Sequence, residues 1–132
     1  FQHHLVRRAK ERICAAALAF HKTPSHNVSV NFRDTDQVFQ DASLAYQQFG
    51  FLRMWSIYPT HVAAITRAMT PQTAVLELAT QVLLLGQKSE WGPTSYEDRL
   101  HDRASYRYYW SILKRTKALG GIIPDAAQRA FF

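Results

Sequence analysis

Val28-Ser29-Val30-Asn31-Phe32 and Tyr46-Gln47-Gln48-Phe49-Gly50-Phe51-Leu52 set the architecture of this 132-residue chain. In the first stretch Val28, Val30 and Phe32 alternate with Ser29 and Asn31, the period of a half-buried strand. In the second a helical pattern runs out at Phe49, and Gly50 stands where helices end on a left-handed residue. Asp34 or Thr35 can cap that helix, which is predicted over 34–49 with Val38, Phe39, Ala42, Leu44, Ala45 and Phe49 on its buried face. Residues 51–58 are rich in aromatic and aliphatic side chains and stop at Pro59, so they are predicted to form a strand.

Working outward, residues 2–20 read as a helix with an apolar stripe of Leu5, Ala9, Ile13, Ala16 and Phe20. His4, Arg8 and Arg12 lie four apart and form a row on a neighbouring face, and Thr23-Pro24 stops the helix. Two further helical patterns cover 60–69 and 71–85, with Thr60 and Thr70 as N-caps and Pro71 in the first helical position. Residues 86–95 read as a loop, and 96–106 as a short helix or an ordered loop. From Arg107 to Arg115 the pattern is that of a strand, with Tyr108, Trp110 and Ile112 on one side and Tyr109, Ser111 and Leu113 on the other. The expected fold is therefore α/β (α+β): strands 28–32, 51–58 and 107–114 in one small sheet, packed by helices 2–20 and 34–49.

A hydrophobic content of 47% with 20% charged residues is that of a folded protein, and 132 residues suffice for a core without metal or disulfide staples. Cys14 is the only cysteine, which excludes an intramolecular disulfide and argues against a Cys-rich zinc site. No apolar run is long enough for a membrane span, so no membrane partner is expected. The formal net charge of +6 is unevenly spread. Arg7, Arg8, Lys10, Arg12 and Lys22 face Glu11 alone in residues 1–22, and Arg99, Arg103, Arg107, Lys114, Arg115 and Lys117 face Asp102 alone in 99–117. The middle of the chain is acidic on balance. Two basic blocks around an acidic centre fit a polyanion-facing side, and equally a solvated surface.

The order of motifs resembles the N-terminal part of the bacterial-type small-subunit ribosomal protein eight family. Arg12, Ile13 and Ala16 match its first helix, His21-Lys22 its helix tail, 28–32 its first strand, and Gly50-Phe51-Leu52 its Gly-Phe-Ile exit. Ala104 to Lys114 is similar to a later strand of mitochondrial-type members. Cys14, Ala15, Asn31 and Arg33-Asp34 depart from the pattern, Pro24 to Asn27 lengthen a turn, and the family's Ser-Thr-Ser-x-Gly loop is missing. The resemblance implies an RNA-binding α/β core at 1–58 and 106–117, a mostly helical insertion at 59–105 and a tail at 118–132. It also implies rRNA contacts by Arg7, Arg8, Lys10, Arg12, Lys22, Arg33, Arg103, Arg107, Lys114, Arg115 and Lys117. Arginine suits that role because its planar fork holds phosphate oxygens in pairs and stacks on bases.

Competing chemistry is thin. Cys14 and His21 could suggest a thiol nucleophile, but Cys14 adjoins Ile13 and Ala15 to Ala17, where a cysteine acts as a small inert hydrophobe. His3-His4 and the scattered histidines lack ligand spacing, Asp34 and Asp36 read as helix-start residues, and Gly120-Gly121 is a turn without phosphate-loop spacing. Tyr106, Tyr108, Tyr109 and Trp110 can stack on bases or fill a core. The expectation is a non-enzymatic structural constituent of a mitochondrial small ribosomal subunit in the matrix, partnered by small-subunit rRNA and neighbouring ribosomal proteins. No cofactor, metal or small-molecule substrate is expected, and a start at Phe1 instead of Met fits presequence removal. The alternative is a non-catalytic accessory subunit of a mitochondrial respiratory complex.

Overall fold

The computed structural model describes residues 3–132. Its first unit runs as far as Met69. Helix α1 (His4–Ala19) starts at His3, whose ring accepts the Leu5 N–H. It ends where His21 turns left-handed (φ 54°) and the Lys22 N–H returns to the Ala17 carbonyl at 2.7 Å. Thr23-Pro24 then leads into strand β1 (Ser25–His26). Asp34 starts α2 (Thr35–Phe49), its carboxylate accepting from the N–H groups of Asp36 (3.1 Å) and Gln37 (2.9 Å). Gly50 ends that helix at φ 76°, a conformation a side chain would strain, and aims the chain into β2 (Arg53–Met54). Helix α3 (His61–Met69) follows. β1 and β2 pair in parallel, Ser25 beside Arg53 and His26 beside Met54, with α2 as the crossover of a βαβ unit.

The core of this unit is built from small residues. Val38, Ala42, Ala45 and Phe49 of α2 pack with Ala64, Ile65, Ala68 and Met69 of α3, joined by Cys14 and Phe51. Alanines at the contact allow a close approach of the two helices, which a larger side chain would prevent. Burial pushes the Cys14 thiol pKa up, as the reading of an inert hydrophobe requires.

The second unit spans residues 70–132. Helices α4 (Thr73–Lys88) and α5 (Arg103–Ala118) pack together, with a short α6 (Asp125–Phe131) against α4. Between α4 and α5 lies an antiparallel hairpin of β3 (Thr94–Tyr96) and β4 (Arg99–His101). Leu76, Ala79, Val82, Leu83, Tyr106, Leu113, Ile123 and Ala127 form the core. Among the described residues no helix is long and apolar enough to cross a membrane.

The mixed α/β class holds, but the expected sheet does not form. Residues 28–32 lie outside any strand, and pairing falls two residues earlier at Ser25–His26. The strand expected over 51–58 reduces to Arg53–Met54. Residues 107–114 are helical, because Asp102 caps the N–H groups of Ala104 (2.9 Å) and Ser105 (3.3 Å) and starts α5. Tyr106, Trp110, Leu113 and Thr116 then turn to one face at steps of three and four, and packing on α4 overrides the strand preference of the aromatics. The segment 96–106, read as a short helix or an ordered loop, holds the turn and second strand of the hairpin and then the first turn of α5. Thr70 and Pro71 do not begin α4, whose cap position is Gln72, without a side-chain bond. The stripe of Leu5, Ile13 and Phe20 faces outward, and α1 buries Cys14 instead.

Candidate functional site

In sheets of parallel strands, ligands gather outside the carboxyl ends, where successive loops converge. In the first unit the Leu52 N–H donates to the Pro24 carbonyl (3.2 Å) and the Trp55 N–H to the His26 carbonyl (3.1 Å). This brings the end of β1, His26-Asn27, beside the end of β2, Trp55-Ser56. Lys10 reaches the same place from α1: its ammonium donates to Asn27 Oδ1 and to His26 Nε2, each at 2.5 Å. His26 is 2% exposed and lies edge-on to Phe51 at 5.0 Å.

The partners fix the imidazole's proton. The Lys10 ammonium can only donate, so Nε2 must be the acceptor. The Asn27 carbonyl can only accept, so Nδ1 carries the hydrogen and donates to it at 2.9 Å. The ring is therefore neutral. Burial, and then the positive charge of Lys10, lower the His26 pKa from 6.5 to about 4. Burial also lowers the Lys10 pKa, while the charge of Asp41 acts in the opposite direction. The result is an ammonium held by two neutral acceptors at the carboxyl end of parallel strands. A cation placed at the carboxyl ends of parallel strands is of the sign that suits a carboxylate.

The basic residues singled out in the sequence are divided between the two units. Arg7 is half-buried and stitches α1 to α2, with Nη2 at 3.4 Å from Gln48 Oε1 and its guanidinium 5.3 Å from the Phe49 ring centre. Arg8, Arg12 and Lys22 are exposed, and Arg33 lies over the Phe32 ring at 5.2 Å. In the second unit Arg103 and Arg107 are exposed at the start of α5, and Arg115 is half-buried. Lys114 sits over Trp110 at 5.9 Å and Lys117 over Phe132 at 4.1 Å. Only Lys10 joins a polar constellation at the strand ends. His26 and Asn27 escaped the sequence reading, and the available signal was their place directly after Pro24-Ser25, following the helix stop.

No family model and no curated protein matches this chain. Solved structures do. A citrate lyase from Burkholderia xenovorans is 51% identical over 99% of this chain, with a TM-score of 0.80. CitE from Mycobacterium tuberculosis, solved in complex with magnesium, acetoacetate and coenzyme A, is 24% identical over 86% of this chain with a TM-score of 0.70, a likeness of fold. This chain spans 41% of the length of the first and 42% of the second.

These likenesses overturn the ribosomal reading. The motifs behind it, a basic helix, a short strand and a Gly-Phe exit, are short pieces that a parallel α/β unit also uses, whereas the Burkholderia lyase matches along almost the whole chain. The expectation of a non-enzyme falls with it, as do rRNA and ribosomal proteins as partners, the exclusion of small-molecule substrates, and the respiratory-subunit alternative. Among the described residues no three His, Cys, Asp or Glu side chains come together to hold a metal ion. A magnesium site like that named for the mycobacterial protein thus has no ligand cluster of these side chains among the described residues.

Proposed function

We propose that this chain is part of a lyase of the citrate lyase kind, acting on a small hydroxy-carboxylate. The observation that carries the reading is the 51% identity with the Burkholderia citrate lyase over 99% of this chain. The parallel βαβ unit and the cation at its strand ends support it.

For citrate, the chemistry balances without an oxidant. The tertiary hydroxyl loses its proton, the bond from its carbon to the neighbouring methylene breaks, and the hydroxyl carbon becomes the ketone of oxaloacetate. The electron pair moves into an enolate, which takes up a proton to give acetate. A substrate with several carboxylates needs cations to hold it, and Lys10, oriented by neutral His26 and Asn27, is this chain's contribution to that binding.

The test is cleavage of citrate by the full-length protein, with and without magnesium, followed by release of a 2-oxo acid. Lys10→Met should raise KM by roughly 10- to 100-fold through loss of a charged hydrogen bond, with a lowered melting temperature because buried His26 Nε2 loses its donor. Failure to cleave citrate or any related 3-hydroxy-carboxylate would overturn the reading. Cleavage with an unaltered KM in Lys10→Met would keep the lyase and remove Lys10 from its site.

A further inference from the structure

In the second unit, Leu83, Trp91, Tyr106, Arg107, Trp110, Ala130 and Phe131 line an open cavity of about 500 Å³. Its walls are two aromatic pairs. Trp91 meets Tyr106 edge-on at 5.7 Å, and Trp110 meets Phe131 edge-on at 6.1 Å while stacking on Phe132 at 5.1 Å. Tyr106 and Trp110 share a face of α5, one turn apart, and Leu83 of α4 forms the floor.

The wall of Trp91 and Tyr106 is fixed in place before any ligand arrives. The Tyr106 hydroxyl donates to the Gly92 carbonyl at 2.6 Å and lies 3.0 Å from Thr94 Oγ1. Trp91 takes a left-handed backbone (φ 64°), unusual for so bulky a residue, and its N–H is held by the Gly86 carbonyl at 2.7 Å. Gly86 itself is required. A Cβ there would come within 2.9 Å of Tyr106 Cε1 and 3.2 Å of Trp91 Cε3. Backbone strain kept at a preformed aromatic wall is what ligand clamps show.

One charge lines the cavity, the exposed guanidinium of Arg107. Among the described residues no carboxylate pairs with it. Next door, a second cavity is lined by Glu90, Asp102 and Arg103 together with Trp91, Gly92 and Pro93. Among the described residues Arg107 is the one charged residue lining the first cavity, and a single positive charge matches a single negative one. Aromatic walls take a flat ring, and a planar guanidinium takes a planar carboxylate in a paired contact.

We propose that this slot binds a planar aromatic monocarboxylate, its ring between the two aromatic pairs and its carboxylate on Arg107. All of its lining residues belong to the second unit.

The test uses the full-length protein with 2-naphthoate, its neutral counterpart 2-naphthylmethanol, and acetate, followed by calorimetry and ligand-observed NMR. The expected result is saturable one-to-one binding of 2-naphthoate, weaker binding of the alcohol and none of acetate. Arg107→Gln, on an exposed side chain, should weaken the acid by roughly 10-fold or more, the size of a charge-assisted contact, and leave the alcohol within about 2-fold. Trp110→Ala should weaken both ring compounds. Equal affinity for acid and alcohol, or an Arg107→Gln protein that binds the acid unchanged, overturns the proposal. So does the absence of saturation by 2-naphthoate up to about 10 mM, a range set by weak ligands of this size.

Discussion

The two units solve the same problem with different materials. The second fills its interior with large side chains, among them Leu83, Leu113 and Tyr106, and turns fewer large apolar residues outward, with Leu100, Leu119 and Ile122 among them. The first packs α2 on α3 through alanines and leaves its large apolar residues in the open: Phe20 is 76% exposed, Val30 81% and Trp55 68%. Buried apolar surface, at roughly 25 cal/mol per Å², stabilises both cores, but the first unit leaves more of its large apolar side chains exposed. The contrast shows that a regular helix–sheet topology and a self-sufficient core are separate properties.

The strongest way to break the comparison is Leu113→Ala. Leu113 is wholly buried in the second unit, and its truncation should cost about 2–5 kcal/mol. Hydrogen exchange read by mass spectrometry should show lost protection in α4 and α5 while α2 and α3 keep theirs. Equal loss in both units would show that they stand or fall together.

Acid should single out the first unit. His26 is neutral when folded, with a pKa of about 4 against 6.5 when unfolded. The unfolded chain therefore binds the extra proton between those values, and stability falls as pH drops through that window. Above pH 6.5 the ring is neutral in both states and no penalty remains. At 1.36 kcal/mol per pH unit the loss approaches about 3 kcal/mol near pH 4. His26→Gln should flatten the slope of melting temperature against pH over this window. An unchanged slope would deny His26 its part.

The smallest effect sharpens the comparison. Asp34 and Asp102 do the same job in different units, each capping a helix with one carboxylate. Asp34→Ala and Asp102→Ala should each cost about 1 kcal/mol, with Asn restoring most of it. Thermal unfolding decides whether the two caps weigh alike.

The helices α1 to α4 were legible because their signals are local, whereas α5 was read as a strand and α6 as part of a tail. The steps of Val38, Ala42, Ala45 and Phe49, the cap at Asp34 and the left-handed stop at Gly50 all stand within α2 itself. The strands were not. β1 has two residues, too short to show a period of two, and its partner Arg53–Met54 lies beyond a whole helix. The alternation of Val28, Val30 and Phe32 was real but belongs to a segment without a ladder. In α5, Tyr108 and Trp110 suggested a strand through aromatic preference, while the deciding evidence was Asp102 and the spacing of Tyr106, Trp110 and Leu113. Lys10 was visible as a basic residue, but the site was not, because His26 and Asn27 meet it only through tertiary packing. The outward stripe of α1 shows the same limit: a periodic apolar face in the sequence does not say what covers it.

The hairpin turn at Glu97-Asp98 has a consequence in time. Two-residue connections of this kind want both central residues left-handed, and here neither is glycine (φ 50° and 59°). Each position resists that conformation by on the order of 1 kcal/mol, so the turn cannot act as a seed for the strands around it. What holds β3 and β4 in place instead includes the Tyr106 hydroxyl, which belongs to α5. The helix must therefore be in position first. During folding, this small sheet is the last part of its unit to arrive, and during unfolding the first to leave.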